Sequence, residues 1–244
     1  MSDTVTMSPI AGDADIAVVA ALLADPTRAD FLLTLSDGRA LPAGELARTA
    51  GVAPSTASAH LARLVESGFV AVEPWGKHRY YRISSPALIA ALEALAVIAP
   101  TKPVRSLHQS DQAVALHFAR TCYDHLGGYL GVALTQALIE REIVIELETG
   151  YSVTEGGARR LGEFGVDLGR VGRQLSYSPY HIDWSERYRH IAGPLAKALT
   201  VRLFELNWLE RVQLSRAVRL TAIGRDGLRE SFGLDVSQRV RLAL

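Results

Sequence analysis

Residues 44–70, GELARTAGVAPSTASAHLARLVESGFV, constrain what this chain can fold into more than any other stretch. The spacing predicts one short helix from Gly44 to Ala50, with Leu46 turned inward and Gly51 ending it. Pro54 then opens a second, because a proline at the first helical position lacks an N–H that would have no intrahelical acceptor anyway. Two short helices joined by a tight Gly-Val-Ala turn make a helix-turn-helix. Val52, Ala57, Leu61 and Leu64 form the buried side of the second helix. Ser55, Thr56, Ser58, Ala59, His60 and Arg63 are left for the other side. A small polar face ending in a base can lie deep in a major groove ~12 Å wide, with hydroxyls and His60 reaching base edges or phosphates.

The flanking sequence completes a recognisable order. Ile16, Val19, Ala20 and Leu23 recur at helical spacing. Asp25-Pro26 supplies an N-cap acceptor and a first-turn proline for a helix through Phe31, Leu32 and Leu35 that stops at Asp37-Gly38. After Gly68, Phe69 to Val72 and His78 to Ile83 are rich in β-formers around Pro74-Trp75-Gly76-Lys77. They predict a hairpin with a basic tip, Lys77, His78 and Arg79, a wing that would lie along the DNA backbone or the minor groove. Ser85-Pro86 caps a last helix with Leu88, Leu92 and Leu95 on one stripe.

Through LADPTR (23–28), the helix-turn-helix segment (44–70) and GKHRYYRI (76–83), residues 14–98 resemble the ArsR family of winged-helix regulators, in particular its cadmium/lead-sensing actinobacterial branch. The resemblance implies a homodimer joined by its first and last helices, which represses transcription until an effector binds. Ala59 departs from the pattern, standing where such proteins often carry a longer polar or basic residue. The family's metal sites are absent. Leu41 to Glu45 holds no cysteine, Arg63 and Ser67 stand at the cysteine positions, and the last helix offers only Glu93. Metal sensing is therefore not carried over from the resemblance.

Charge at first argues against a nucleic-acid partner, since 26 Lys and Arg balance 26 Asp and Glu. The balance is local, however. Between residues 55 and 82, Arg63, Lys77, Arg79 and Arg82 face only Glu66 and Glu73, and it is the patch that meets phosphate. Neutrality overall implies a limited non-specific grip, so that binding depends on readout and dimer geometry. The single cysteine forbids an intrachain disulfide and points to a reducing compartment. The N-terminus carries Asp3 and no apolar run, and Ile16 to Ala24 is too short to span a membrane. A cytoplasmic protein with no membrane partner is expected.

Ala99-Pro100-Thr101-Lys102-Pro103 reads as a linker. It divides a tail (1–13) and a DNA-binding domain (14–98) from a C-terminal effector or dimerisation domain (108–244), with residues 99–107 between them. Within the last, HLGGYLGVALTQALIERE (125–142) matches HIAGPLAKALTVRLFELN (190–207) at an offset of 65, and VTEGGARRL (153–161) matches LTAIGRDGL (220–228) at 67. Two units, about 119–178 and 184–240, are expected, each reading helix, strand, turn, strand, helix. The strands fall at Val144 to Leu147 and Tyr151 to Val153, then at Leu209 to Val212 and Ala217 to Leu220. The fold class is thus mainly α with small β-hairpins: a winged helix-turn-helix plus an α+β domain of two repeated helix-hairpin-helix units.

A ligand pocket is expected where the units meet. The segment Tyr177 to Arg189 would serve as wall or lid, and Tyr180, Trp184, Tyr188 and Trp208 would enclose a small organic effector. Cys122 and His125, at i and i+3, would share a helix face. With His108, His117, His181 and His190 as further candidates they could hold zinc, or Cys122 is a small buried residue and the histidines cap or hydrogen-bond helices. No metal-ligand set and no cofactor is assigned. An enzyme is not expected, since no nucleophile elbow, HExxH or nucleotide-binding glycine motif is present. Asp183 and Glu186 read as salt-bridged residues of a helix, and Gly128 and Gly193 as packing glycines inside helices. The expected partners are operator DNA, a second copy of the chain and an organic effector.

Overall fold

The computed structural model describes residues 13–76, 78–104, 106–166 and 177–240. The N-terminal part begins with α1 (Ile16–Leu23) and α2 (Pro26–Leu35), and the LADPTR motif explains their junction. The Asp25 carboxylate accepts the Arg28 backbone N–H at 2.9 Å and caps α2. The buried Arg28 guanidinium turns back to donate to the carbonyls of Leu22 (2.8 Å) and Ala21 (2.9 Å), two acceptors that α1 leaves open at its end. Next come β1 (Leu41–Pro42), α3 (Ala43–Ala50), α4 (Pro54–Glu66), the hairpin β2 (Val70–Trp75) and β3 (His78–Ile83), and α5 (Pro86–Ile98). Gly51 closes α3 at φ +65°, the left-handed conformation that suits glycine. β1, a strand with no sequence signal of its own, pairs Leu41 with Tyr81 and makes the sheet three-stranded, in the order β1-β3-β2.

Phe31, Leu32, Leu35, Leu46, Leu61, Leu64 and Val70 are the centre of this core. Two expected stripes are oriented differently. None of α1 is buried, and Ile16 is 69 % exposed. On α5 the buried face is Ile89, Leu92 and Glu93, while Leu95 and Ile98 face outward.

After α6 (Leu107–Phe118) the elements run hairpin, helix, hairpin, helix: β4 (Arg120–Cys122) with β5 (His125–Gly127), α7 (Tyr129–Glu140), β6 (Val144–Glu146) with β7 (Gly150–Val153), then α8 (Glu155–Glu163). The same order follows in β8 (Ser178–Ile182) with β9 (Arg189–Ile191), α9 (Gly193–Glu205), β10 (Leu209–Arg211) with β11 (Val218–Leu220), then α10 (Ala222–Phe232) and the short α11 (Ser237–Val240). β6-β7-β8-β9 form one four-stranded antiparallel sheet, so the strands of Tyr177 to Arg189 extend a sheet and do not form a lid. One core, including Leu130, Leu138, Leu195, Leu203 and Trp208, runs through both halves.

Three sequence expectations change here. Residues 125–127 and 189–191 are strands, so Cys122 and His125 do not share a helix face. Gly128 and Gly193 stand where strand turns into helix, at φ +78° and +76°. A Cβ on Gly128 would sit 2.8 Å from the His117 carbonyl oxygen, so the backbone geometry, not helix packing, requires glycine. Asp183 and Glu186 lie in the β8–β9 connection and not on a helix. Among the described residues no helix is long and apolar enough to cross a membrane.

Candidate nucleic-acid interface and a buried cysteine–histidine cluster

α4 is held in place by Ala57, Leu61 and Leu64, all fully buried against α2 and α3. With that face fixed, Ser55, Thr56, Ser58, Ala59 and Arg63 are exposed. The Ser58 hydroxyl donates to the Pro54 carbonyl at 2.9 Å, so its free valence outward is an acceptor. His60 differs from its neighbours. It is half-buried, and its Nδ1 lies 3.5 Å from the Asp25 carboxylate that caps α2. The backbone N–H of Arg28, the largest influence on Asp25, lowers the pKa of that carboxyl.

On the hairpin, His78 and Arg79 are exposed, whereas Arg82 is ion-paired with Glu73 across the strands. Trp75 is 80 % exposed near the turn, beside Tyr80. Lys77 and the His108 side chain lie outside the described residues.

The four aromatic residues expected around an effector do not converge. Trp208 is in the core against Phe164 and across from Gly227. Tyr180 stacks under the Arg189 guanidinium at 4.2 Å, and Trp184 lies under Arg120 and edge-on to His117. Tyr188 is exposed and lines a cavity of about 370 Å³ with Gln136, Tyr151 and Arg187, which the other three do not reach.

A different set of residues does converge. Cys122 and His125 are cross-strand partners in β4–β5, and His181 and His190 are cross-strand partners in β8–β9. Directly opposed residues of an antiparallel pair project from the same face of the sheet. Each hairpin therefore offers two side chains, and the four ligand atoms lie within 4.8 Å of one another. Cys122, His125 and His190 are almost completely buried, and His181 is partly so. Cys122 Sγ is 3.7 Å from His181 Nδ1. Among the described residues, His125 Nε2 and both ring nitrogens of His190 have no hydrogen-bond partner.

Burial, then Glu93 on α5, push the Cys122 thiol well above its ordinary range. Burial, with His125 adding, drives His190 down to about 3 and lowers His181, so both rings are neutral imidazoles near neutral pH. Beside the cluster, burial alone would raise the Asp183 carboxyl. The Arg120 guanidinium and hydrogen bonds from Ser185 and the Gly128 N–H hold it far below the usual carboxylate range. The sequence offers Cys122 and His125, with His108, His117, His181 and His190, as candidate zinc ligands, but it places the first two on one helix face and selects no set among the histidines. The signal is a Cys–His pair and a His–His pair, and it becomes legible only once both segments are read as hairpins.

The helix-turn-helix domain family matches residues 23–73, which hold α2 through most of β2. Two solved structures are similar over little more than a third of the chain. NolR from Sinorhizobium fredii is 28% identical (39% of this chain, 100% of that one, TM-score 0.34). The cadmium metal-sensor CMTR from Mycobacterium tuberculosis is 32% identical (37% and 98%, TM-score 0.30). The HTH-type transcriptional regulator YdfF of Bacillus subtilis is 42% identical over 212 residues, 86% of this chain and 94% of YdfF. A likeness that runs through both halves, on a chain that carries an exposed α4 beside a β-hairpin wing, places it: the chain belongs to the HTH-type transcriptional regulators.

Proposed function

We propose that this regulator is a homodimeric, ArsR-type repressor that reads a two-fold operator through α4 and steadies itself on the DNA backbone through the β2–β3 hairpin. The observation that carries the reading is the exposed row Ser55, Thr56, Ser58, Ala59 and Arg63 on a helix whose opposite side is wholly buried. Short side chains let the helix backbone approach the floor of the major groove, with Ser55 and Thr56 for base edges and Arg63 for phosphate. His60, whose Nδ1 lies near Asp25, offers its other ring nitrogen for contact. Arg79, with Lys77 and His78, serves the backbone beside it.

Dimerisation is supported by apolar surface that one chain leaves uncovered. Ile16 (69 %), Val18 (59 %) and Ile98 (79 %) are exposed on α1 and α5, the two helices that join protomers in the family the sequence resembles. Burial of such side chains between two copies is the ordinary use of so much apolar surface. The matching hairpin–helix–hairpin–helix order in 120–163 and 178–232 we read as a duplicated unit whose seam holds the regulatory site. Selection of a bound duplex from random DNA tests the reading. The expected product has inverted half-sites with centres about 34–36 Å apart, and recovery of no preferred sequence would overturn it.

A further inference from the structure

We propose that Cys122, His125, His181 and His190 form a closed four-ligand site for a borderline transition-metal ion such as Zn²⁺, built between the β4–β5 and β8–β9 hairpins, and that Tyr123 passes its occupancy to the winged helix. The second clause rests on the DNA-binding reading above; the site itself does not.

The donor set is one thiolate and three imidazoles, a composition that suits zinc and its neighbours and not a hard ion such as Mg²⁺. Zn–N distances of about 2.0–2.1 Å and a Zn–S distance of about 2.3 Å give a tetrahedron with edges of roughly 3.3–3.6 Å. Cys122 Sγ and His181 Nδ1, at 3.7 Å, already stand at such an edge, and the widest separation in the cluster is 4.8 Å. A closure of roughly 1 Å completes the geometry.

Surrounding groups are arranged as supports for ligating imidazoles. Asp124 Oδ1 faces His125 Nδ1 at 3.4 Å, which turns the unpartnered Nε2 inward. Asp183 Oδ2 stands 3.9 Å from His190 Nδ1 and is itself fixed by Arg120 at 2.8 Å. A carboxylate hydrogen-bonded to the non-ligating nitrogen orients a metal-bound histidine, as Asp124 does for His125, and Asp183 stands on the corresponding side of His190. Gly127 keeps the floor open, since a Cβ there would lie 3.3 Å from Asp183 Oδ2 and 3.6 Å from His190 Nε2. Two of the buried, unpartnered ring nitrogens, His125 Nε2 and His190 Nε2, are costly without a ligand and explained by one. On binding, the thiol proton of Cys122 leaves for solvent as the Zn–S bond forms.

Tyr123 stands between the two ligands of the first hairpin. Its backbone N–H donates to the Ser36 carbonyl at the end of α2 at 2.9 Å, and its ring packs on the N-terminal core over Gly38. Beside it Arg216 joins Ser36 (2.8 Å) to Glu93 of α5 (3.1 Å). Drawing Cys122 and His125 inward therefore pulls on the C-terminal end of α2 and on α5, the helix assigned to the dimer.

The test uses the full chain, stripped with chelator and titrated with Co²⁺ and Zn²⁺. Expected are one Co²⁺ per chain, visible absorption of tetrahedral intensity and a near-ultraviolet thiolate-to-metal band. Cys122→Ser should abolish that band, and Cys122→Ser and His190→Ala should each weaken Zn²⁺ binding by about 100-fold or more, while His117→Ala leaves it unchanged. Octahedral or absent Co²⁺ spectra in the folded wild type, or equal affinity in the variants, overturn the site, and the wild-type spectrum decides even if a variant fails to fold. In the DNA arm, Zn²⁺ should shift operator affinity about 10-fold or more, and Tyr123→Ala should keep the Co²⁺ spectrum but lose the shift. A bound metal with no effect on DNA affinity overturns the coupling. A chain that binds no specific DNA with or without Zn²⁺ overturns the function reading and leaves the spectra to judge the site.

Discussion

Arg120 and Asp183, 63 residues apart, meet at 2.8 Å with both side chains buried. Arg120 also donates to the Leu116 carbonyl and to the Ser185 hydroxyl, both at 3.0 Å. Asp183 accepts the Gly128 N–H at 2.6 Å and the Ser185 N–H at 2.9 Å. The pair ties the β4–β5 hairpin to the β8–β9 hairpin, at the edge of the cysteine–histidine cluster.

Breaking such a pair leaves a buried charge uncompensated. Asp183→Ala should therefore cost about 3–5 kcal/mol in urea denaturation, and Arg120→Met combined with Asp183→Leu should recover much of that loss. A loss under about 1 kcal/mol for the single variant would show that water reaches Arg120 and that the hairpins are joined by other contacts.

Thr56 is exposed on α4 and has no structural bond to lose. Thr56→Ala should leave the melting temperature nearly unchanged and cost about 1–3 kcal/mol on the operator, with little change on random DNA. Fluorescence anisotropy on both duplexes measures the difference. Equal losses on the two would remove Thr56 from readout.

The hairpin should behave in the opposite way. Arg79→Ala with Lys77→Ala should weaken binding to every duplex alike and lower the slope of log K against log salt by about one for each phosphate no longer neutralised. Arg82→Ala, a residue already paired with Glu73, should change the slope less. An unaltered slope in the double variant would take the wing off the DNA.

Ile98 is 79 % exposed at the end of α5, and Val18 is 59 % exposed on α1. If these faces bury each other between protomers, Val18→Glu with Ile98→Glu should give monomers by light scattering, with fold retained by circular dichroism, because a charge in an apolar interface is strongly unfavourable. A dimer that survives both charges places the contact elsewhere on the chain.

Local chemistry decided much of the N-terminal half. Pro26, Pro54 and Pro86 each open a helix, Gly51 closes one, and Asp25 and Ser85 cap their neighbours through bonds spanning two or three residues. Such signals act within a turn of helix, so they are written in the sequence itself. The exposed row of α4 followed from the same periodicity, since burying Ala57, Leu61 and Leu64 leaves only one side free.

His60 was not legible in that way. Its Nδ1 stands beside Asp25 at the start of another helix, and periodicity places a residue on a face without naming what stands opposite. The exposed stripe of α1 is a related case: its spacing marked an apolar face but could not say whether this chain or a second copy covers it.

In the C-terminal half the sequence by itself determined the match of segment 125–142 with 190–207, the four strands at 144–153 and 209–220, and the presence of one cysteine among histidines. Only the tertiary structure decided that residues 120–127 and 178–191 are hairpins, that Trp208 belongs to the core, and that Cys122 and His125 face His181 and His190. The reason is physical. Three-residue strands carry too few side chains to show a two-residue period, and their pairing is fixed by contacts with distant segments, among them a buried arginine whose partner lies 63 residues away.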